Sequence, residues 1–433
     1  MTTTTTTRYS RPTLEHDVIR RLFIEAGADD VGCVEIDRPE VADQRADILA
    51  AFPCTRTLIS FVCRMNRENI RTPMRSIANL EFHHTGDAVN DVARRVIRAF
   101  ERMGIRAING GAMGFPMEAD QWPNKIWVVS HKPVAVAAGL GQMGIHRNVI
   151  HPKFGNHILL GTVLLDAEVA AYSQPIDYNP CLKCKLCVAA CPTGAISPEG
   201  AFNFSACYTH NYREFMGGFI GWVETVVDSH SAAEYRAKVS DAETVSMWQS
   251  LGFGPNYKAA YCLSVCPAGD EVIGPYRENK ALYAETVVRP LQNKNETVYV
   301  VPGSDAERDV PRRFPHKTPR PAANGLRPTS IASFLFGLTL TFQPGRSEGL
   351  DAVYHFTFTG EEEREATVVI RQRRLEVLDG HVGSADLRLI ADSRTWVRFV
   401  RKEAKLAWAI LRGRVRFRGS PRLLLAFGRC FLA

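Results

Sequence analysis

The chain has 433 residues, of which 45% are hydrophobic and 23% charged, with a formal net charge of +7. That length leads us to expect two or three domains with ordinary soluble cores. The polar opening Met1–Arg8 lacks the apolar stretch of a secretory signal, and no apolar run reaches bilayer length. The eleven cysteines then read as reduced thiols, and the expected location is cytoplasmic.

Leu14, Val18, Leu22 and Ala26 make a helical stripe that stops at Gly27. Val31–Ile36 and Thr57–Cys63 read as strands, the second apolar enough to be buried on both faces. Val89, Val92, Val96, Phe100 and Met103 mark a longer amphipathic helix ended by Gly104. Strand-like Ile126–Val129 and His157–Leu165 follow. This alternation predicts an α/β domain over residues 8–170.

The run Cys181-Leu-Lys-Cys184-Lys-Leu-Cys187-Val-Ala-Ala-Cys191-Pro192 carries the strongest signal. Thiols spaced three, three and four apart and closed by proline form the bacterial ferredoxin ligand run. In it three thiolates converge on one cubane and the fourth turns to a second cluster. A disulfide framework does not suit so long a chain without an export signal, and zinc sites rarely use the third spacing. Cys262-Leu-Ser-Val-Cys266-Pro267 repeats the closing half, and Cys207 lies between. Crossover of the last cysteine puts Cys181, Cys184, Cys187 and Cys266 on cluster one. Cluster two then has only Cys191, Cys207 and Cys262, because Ala259 stands where a full run would place a cysteine. Either that cluster is a three-iron (3Fe-4S) type beside a 4Fe-4S partner, or a group such as His210 or Asp270 supplies the fourth bond. Cys33, Cys54, Cys63 and Cys430 sit in apolar stretches and read as small buried hydrophobes. The section 171–285 is expected to be a loop-rich ferredoxin-like domain with a helical insert near Ala232–Leu251, ordered mainly by metal ligation.

Residues 286–325 read as a linker, since Ser304–Pro321 is charged and proline-rich. Beyond it Tyr354, Phe356 and Phe358 alternate with polar residues, and Ala366–Ile370, Leu375–Leu378 and Ala385–Leu389 continue the period of two. Ser393 is expected to cap a helix carrying Trp396, Phe399, Leu406 and Ile410, with Gly413 beyond it and a last helix from Pro421. Residues 326–433 are thus expected to form a separate α+β domain. Its 18 Lys and Arg against 11 Asp and Glu account for the whole +7. Such a segment marks an anionic surface or is simply a solvated face. Nucleic acid is not expected, because Trp396, Phe399 and Phe417 keep core-facing spacing rather than interleaving with the charges.

Two family resemblances follow from these residues. Ala138-Gly-Leu-Gly-Gln-Met-Gly144, His151-Pro-Lys-Phe-Gly155, Leu160–Asp166 and the ordered cysteines resemble the iron–sulfur reductases that include epoxyqueuosine reductase and the reductive dehalogenases. The resemblance implies a nitroreductase-like α/β domain that binds a corrinoid (cobalamin) beside Gly139, Gly141 and Gly144. It also implies clusters that feed electrons to cobalt, and an electron donor such as ferredoxin, flavodoxin or a reductase. No acidic residue lies in Trp127–Ala138 to match the proton-donating aspartate of the queuosine enzymes. His131 and Lys132 stand there instead, and with His151, Tyr208 and His210 they are the candidate acids. Phe356–Gly360, Asp379-Gly380, Ala385–Asp392 and Gly419–Pro421 resemble the sterol carrier protein 2 (SCP2) fold, which implies a sheet and helices around an apolar ligand tunnel. The leading expectation is a cytoplasmic iron–sulfur oxidoreductase acting on a hydrophobic substrate. The alternatives are an electron relay without corrinoid and a lipid carrier with a redox-sensing cluster domain.

Overall fold

The computed structural model describes residues 12–111, 117–124 and 126–432. Met1–Arg8, read above as lacking a signal, lies outside the described residues. The chain divides into two units. The first takes in Met1–Ala119, Ile126–Leu186 and Leu263–Val288, the second Asp120–Lys125, Cys187–Cys262 and Arg289–Ala433. Residues 171–285, expected as one domain, are therefore divided between units, because this stretch has little apolar core of its own and packs on its flanks.

In the first unit, strands Asp30–Glu35, Thr57–Arg64, Ile158–Leu165 and Ala107–Asn109 lie side by side in that order, each antiparallel to its neighbour. Period-two alternation splits their side chains between two cores. Val31, Cys33, Ile59, Phe61, Cys63, Val163 and Leu165 pack under the helices His16–Ala26 and Arg75–Arg102. Val34, Leu58, Val62 and Leu164 meet Val134, Ala135 and Ala137 of the helix His131–Ala137 on the other side. With both faces covered, Thr57–Cys63 is buried throughout. Gly27 ends the first helix at φ 112, a left-handed cap that suits glycine.

The sequence misjudges two elements here. The long helix begins at Arg75, well before Val89, because its first turns leave Ile77 and Leu80 exposed and so carry no apolar stripe. Ile126–Val129 is not a strand. Ile126 and Val129 are buried, yet the backbone pairs with no sheet, and Gln44 takes up the N–H (2.8 Å) and carbonyl (3.4 Å) of Ser130 at the end of the stretch.

The second unit holds a five-stranded sheet ordered Arg374–Asp379, Arg364–Arg371, Ala352–Thr359, Leu387–Asp392, Val415–Gly419, with the pair Ala352–Thr359 and Leu387–Asp392 parallel. Tyr354, Phe356 and Phe358 point into a core shared with Phe334, Leu338, Trp396 and Phe427 of the covering helices. The residues read as a linker are instead ordered. Thr297–Val300 pairs in parallel with Thr318–Pro321, and Ser304 caps a helix Asp305–Arg313 between them. Prolines fit there because a strand paired on one side has no need of every N–H. Buried Lys317 ties the segment down through Glu296 Oε1 (2.7 Å) and the carbonyls of Leu291 (3.2 Å) and Lys294 (2.8 Å).

Three smaller expectations change here. Asp392, not Ser393, is the helix cap, accepting from Thr395 N–H at 3.0 Å. The helix expected to run on to Ile410 breaks at Lys402, whose φ is 65, and resumes as Leu406–Leu411. The strand Val415–Gly419 was unforeseen, because its outer positions are all arginine. No helix among the described residues is long and apolar enough to cross a membrane.

Candidate iron–sulfur site

The ligand run is built on a strained backbone. Lys183 and Lys185, on either side of Cys184, have φ of 55 and 56, a left-handed conformation that costs a lysine free energy. A short helix, Leu186–Ala190, then carries Cys187. The later segment repeats the second half of this backbone, since Lys258, in the place of Lys183, is not left-handed. Ala260 at φ 55 occupies the place of Lys185, and the helix Tyr261–Val265 matches Leu186–Ala190 residue for residue. Ala259 therefore sits on a ligand-ready turn with no thiol.

Three tyrosines sense the thiols of the first unit. Burial raises the Tyr178 hydroxyl, and Asp270, Cys266 and Cys181 beside it raise it further. Tyr283 is pushed up to about 12 by burial, against the pull of Arg71, with Cys266 and Cys184 also near. Tyr276 is raised by burial and by Cys184. Cys181, Cys184 and Cys266 thus share one tyrosine-lined neighbourhood, and Asp270 stands in it too. The backbone N–H of Ile145 donates to Cys181 Sγ at 3.4 Å.

In the second unit, Cys207 lies on the helix Phe204–Asn211, capped by Asn203 Oδ1 accepting from Ala206 N–H at 2.9 Å. Tyr212 is held well above the ordinary phenol range by burial and by Tyr257, Cys207, Tyr208 and Cys262 around it, so Cys207 and Cys262 share this wall. Cys191 Sγ meets Thr193 Oγ1 at 3.6 Å, and Arg313 clamps the carbonyls of Cys191 (3.1 Å) and Val188 (2.6 Å). Ala259 N–H donates to Asn211 Oδ1 at 3.0 Å, one helical turn past Cys207. Among the described residues no cysteine forms a disulfide.

His210, offered as a fourth ligand, is buried and neutral, its pKa lowered to about 4 by burial. Its Nδ1 accepts Tyr299 N–H at 3.3 Å, so the ring proton is on Nε2, which has no hydrogen-bond partner. A ring in this tautomer offers a buried N–H donor, not a lone pair for iron.

The candidate acids have structural partners. Burial lowers His131 to about 4, and its Nδ1 meets Thr162 Oγ1 at 2.8 Å. Lys132 Nζ donates to Arg147 O (2.6 Å) and Asn148 Oδ1 (3.3 Å). Burial raises Tyr208, whose hydroxyl accepts Gly217 N–H at 3.1 Å. His151 Nδ1 accepts two backbone N–H groups, leaving Nε2–H to donate to Asp30 Oδ2 at 3.1 Å. Burial would raise the Asp30 carboxyl, but His151 and Val31 N–H hold it below the usual range.

The donor set fits iron–sulfur chemistry: soft thiols, an N–H aimed at sulfur, and walls of aromatic side chains. Among the described residues no three His, Cys, Asp or Glu side chains close on a single metal ion. The glycines assigned to a corrinoid are accounted for by the protein's own packing. A methyl on Gly139 would lie 2.5 Å from Gln174 O, on Gly141 2.4 Å from Ile150 O, and on Gly144 2.7 Å from His146 Cε1. The loop is glycine-rich because the protein's own chain fills the space beside it. Of the four cysteines read as buried hydrophobes, Cys33, Cys63 and Cys430 are buried; Cys54 is half-buried.

Comparison with known proteins agrees with these features. Residues 175–197 match the 4Fe-4S binding domain and residues 342–431 the SCP-2 sterol transfer family. The epoxyqueuosine reductase of Vibrio cholerae serotype O1 is 31% identical over 107 residues, 25% of this chain and 27% of that protein. The Escherichia coli K12 enzyme is 32% identical over 89 residues, 21% of this chain and 23% of that protein. The chain thus spans about a quarter of the length of the curated relatives it matches. Among solved structures, the reductive dehalogenase NpRdhA covers 62% of this chain and 33% of its own at 15% identity, with a TM-score of 0.38. This chain therefore carries a 4Fe-4S binding domain followed by an SCP-2 domain at its C-terminal end, and it is similar to epoxyqueuosine reductases.

Proposed function

We propose that this chain is an iron–sulfur oxidoreductase with two clusters, acting on an apolar substrate or ligand that its SCP-2 domain holds. Cys181, Cys184, Cys187 and Cys266 would hold the first cluster, and Cys191, Cys207 and Cys262 the second. The observation that carries the reading is the recurrence of the second half of the ligand backbone, the left-handed Ala260 and the helix Tyr261–Val265 copying Lys185 and Leu186–Ala190. A chain with no second cluster to hold has no reason to keep a strained alanine there. The clusters supply one-electron transfer. The chain's own part is to orient thiols, to aim Ile145 N–H at Cys181 sulfur, and to exclude water with Tyr178, Tyr276 and Tyr283.

The link to an apolar ligand rests on the second unit. The helix Ile331–Thr341, a wall of the SCP-2 core, packs on the Cys207 helix, and Asn203 Nδ2 donates to Gln343 Oε1 at 3.2 Å. The basic face of residues 326–433 would favour anionic headgroups. The filled glycine loop favours the second reading, an electron relay without corrinoid.

An absorbance scan of anaerobically purified full chain tests both readings. Broad absorbance bleached by dithionite is expected, without corrinoid bands after incubation with cobalamin and gel filtration. Retained corrinoid bands would restore a cobalamin-dependent reductase, and absence of iron would overturn the proposal. Displacement of a fluorescent fatty acid from the full chain reads the ligand site separately.

A further inference from the structure

The helix Asp241–Phe253 in the second unit faces the wrong way for a surface helix. Its inward side is mostly polar, with Met247 between two polar residues: Glu243 takes Arg213 (3.1 and 3.0 Å) and Arg320 (2.6 Å), and Ser250 donates to Glu214 at 2.7 Å. Its outward side carries Val245, Trp248, Leu251 and Phe253, exposed by 60, 63, 66 and 72%, with Asp241 and Gln249 the exposed polar residues. Trp248 and Phe253 meet edge to face at 5.7 Å. Ile220, Val223 and Val227 form a second exposed stripe on the helix Gly217–Val227. A hydrogen-bond chain fixes these helices together: Trp222 Nε1 to Tyr235 Oη at 3.0 Å, and Tyr235 Oη to Thr244 Oγ1 at 2.6 Å. A surface helix ordinarily shows water its charged side, so this face is built for an apolar neighbour.

We propose that this face is a self-association surface, covered by the same helices of a second copy of this chain. Size is the first argument. With aromatic side chains of 150–250 Å², Trp248 and Phe253 alone leave on the order of 300 Å² uncovered. With the five aliphatic residues the apolar surface comes near the roughly 800 Å² that each partner gives a stable interface. Charge is the second. The neighbouring charges are already paired, Lys238 with Glu234 at 2.7 Å and Arg236 with Asp241 at 3.2 Å, which leaves no cationic excess for an anionic bilayer. The character of the face is the third. Redox encounters use small interfaces, whereas a Trp, Phe, Leu and Val surface resembles the apolar core of a homodimer. A two-fold pairing buries the same stripe on both copies.

The test is light scattering coupled to size exclusion of anaerobically purified full chain at micromolar concentration. A particle of twice the 48.2 kDa chain mass is expected. Trp248→Glu should raise the dissociation constant at least tenfold while cluster absorbance and far-UV circular dichroism stay unchanged. If Trp248→Glu loses its fold, Leu251→Lys takes its place. A wild-type chain that stays single at tens of micromolar overturns the proposal, as does a dimer that a folded variant leaves intact. A single-copy chain that co-floats with zwitterionic vesicles also overturns it and assigns the face to a bilayer.

Discussion

Replacing Gly144 with alanine should lower the reduction potential of the cluster proposed at Cys181. The added methyl would lie 2.7 Å from His146 Cε1 and 2.8 Å from Ile150 Cδ1, both side-chain ends; the His146 ring is held by Asn148 N–H at 3.1 Å and by Asn156 Nδ2 at 3.3 Å, so the push passes to the loop. The next residue, Ile145, donates its N–H to Cys181 Sγ at 3.4 Å, and the shift lengthens that bond. An N–H dipole at a ligand sulfur favours the more negative, reduced state. A hydrogen bond to a charged group is worth roughly 1.5–3 kcal/mol, and only its difference between redox states counts, on the order of 1 kcal/mol. For a one-electron couple, where a tenfold change is 59 mV, that is a fall of about 40 mV. A redox titration followed by electron paramagnetic resonance reads it directly. Gly337→Ala, whose new methyl meets nothing within 4 Å, is the control. An unchanged potential in a folded Gly144→Ala protein would refute the link between the glycine loop and the cluster.

Three further outcomes follow from other parts of the chain. Ala259→Cys should place a thiol on a turn already shaped for one, so the three-iron signal expected after air exposure of the wild type should disappear in the variant. Glu243→Ala should destabilise the second unit by about 3–5 kcal/mol in denaturant melts, because it strands the buried Arg213 and the partly buried Arg320 beside it. His131 and His157 are lowered to about 4 and about 3 by burial, against an unfolded value near 6.5. Between those values the unfolded chain binds the extra protons, so stability is full above pH ~6.5 and falls as pH drops toward 4. His131→Gln should flatten that acid limb by close to one proton, and an unchanged slope would mean that His131 titrates normally.

The cysteine run, the repeated half and the missing thiol at position 259 were legible because ligand spacing is written directly in the sequence. The strands Asp30–Glu35, Thr57–Arg64 and Ala352–Thr359 were legible because each buries a periodic set of side chains. What stayed hidden acts across long separations. Tyr283 reaches Cys266 and Cys184 only through the fold, and Arg313 finds the Cys191 carbonyl 122 residues away. The ordered 297–321 segment was hidden because its prolines look like a linker until a single partner strand accounts for them. His210 could be named as a candidate, but its tautomer, and with it the choice between ligand and donor, depends on Tyr299 N–H.

The central claim is tested most directly by counting iron and acid-labile sulfide in the anaerobically purified full chain while integrating the paramagnetic signal after reduction. Two clusters predict about seven to eight irons per chain and two interacting spins, with the Cys262→Ala variant losing one cluster and keeping the other. About four irons with a single isolated spin, or zinc in place of iron, would contradict the account.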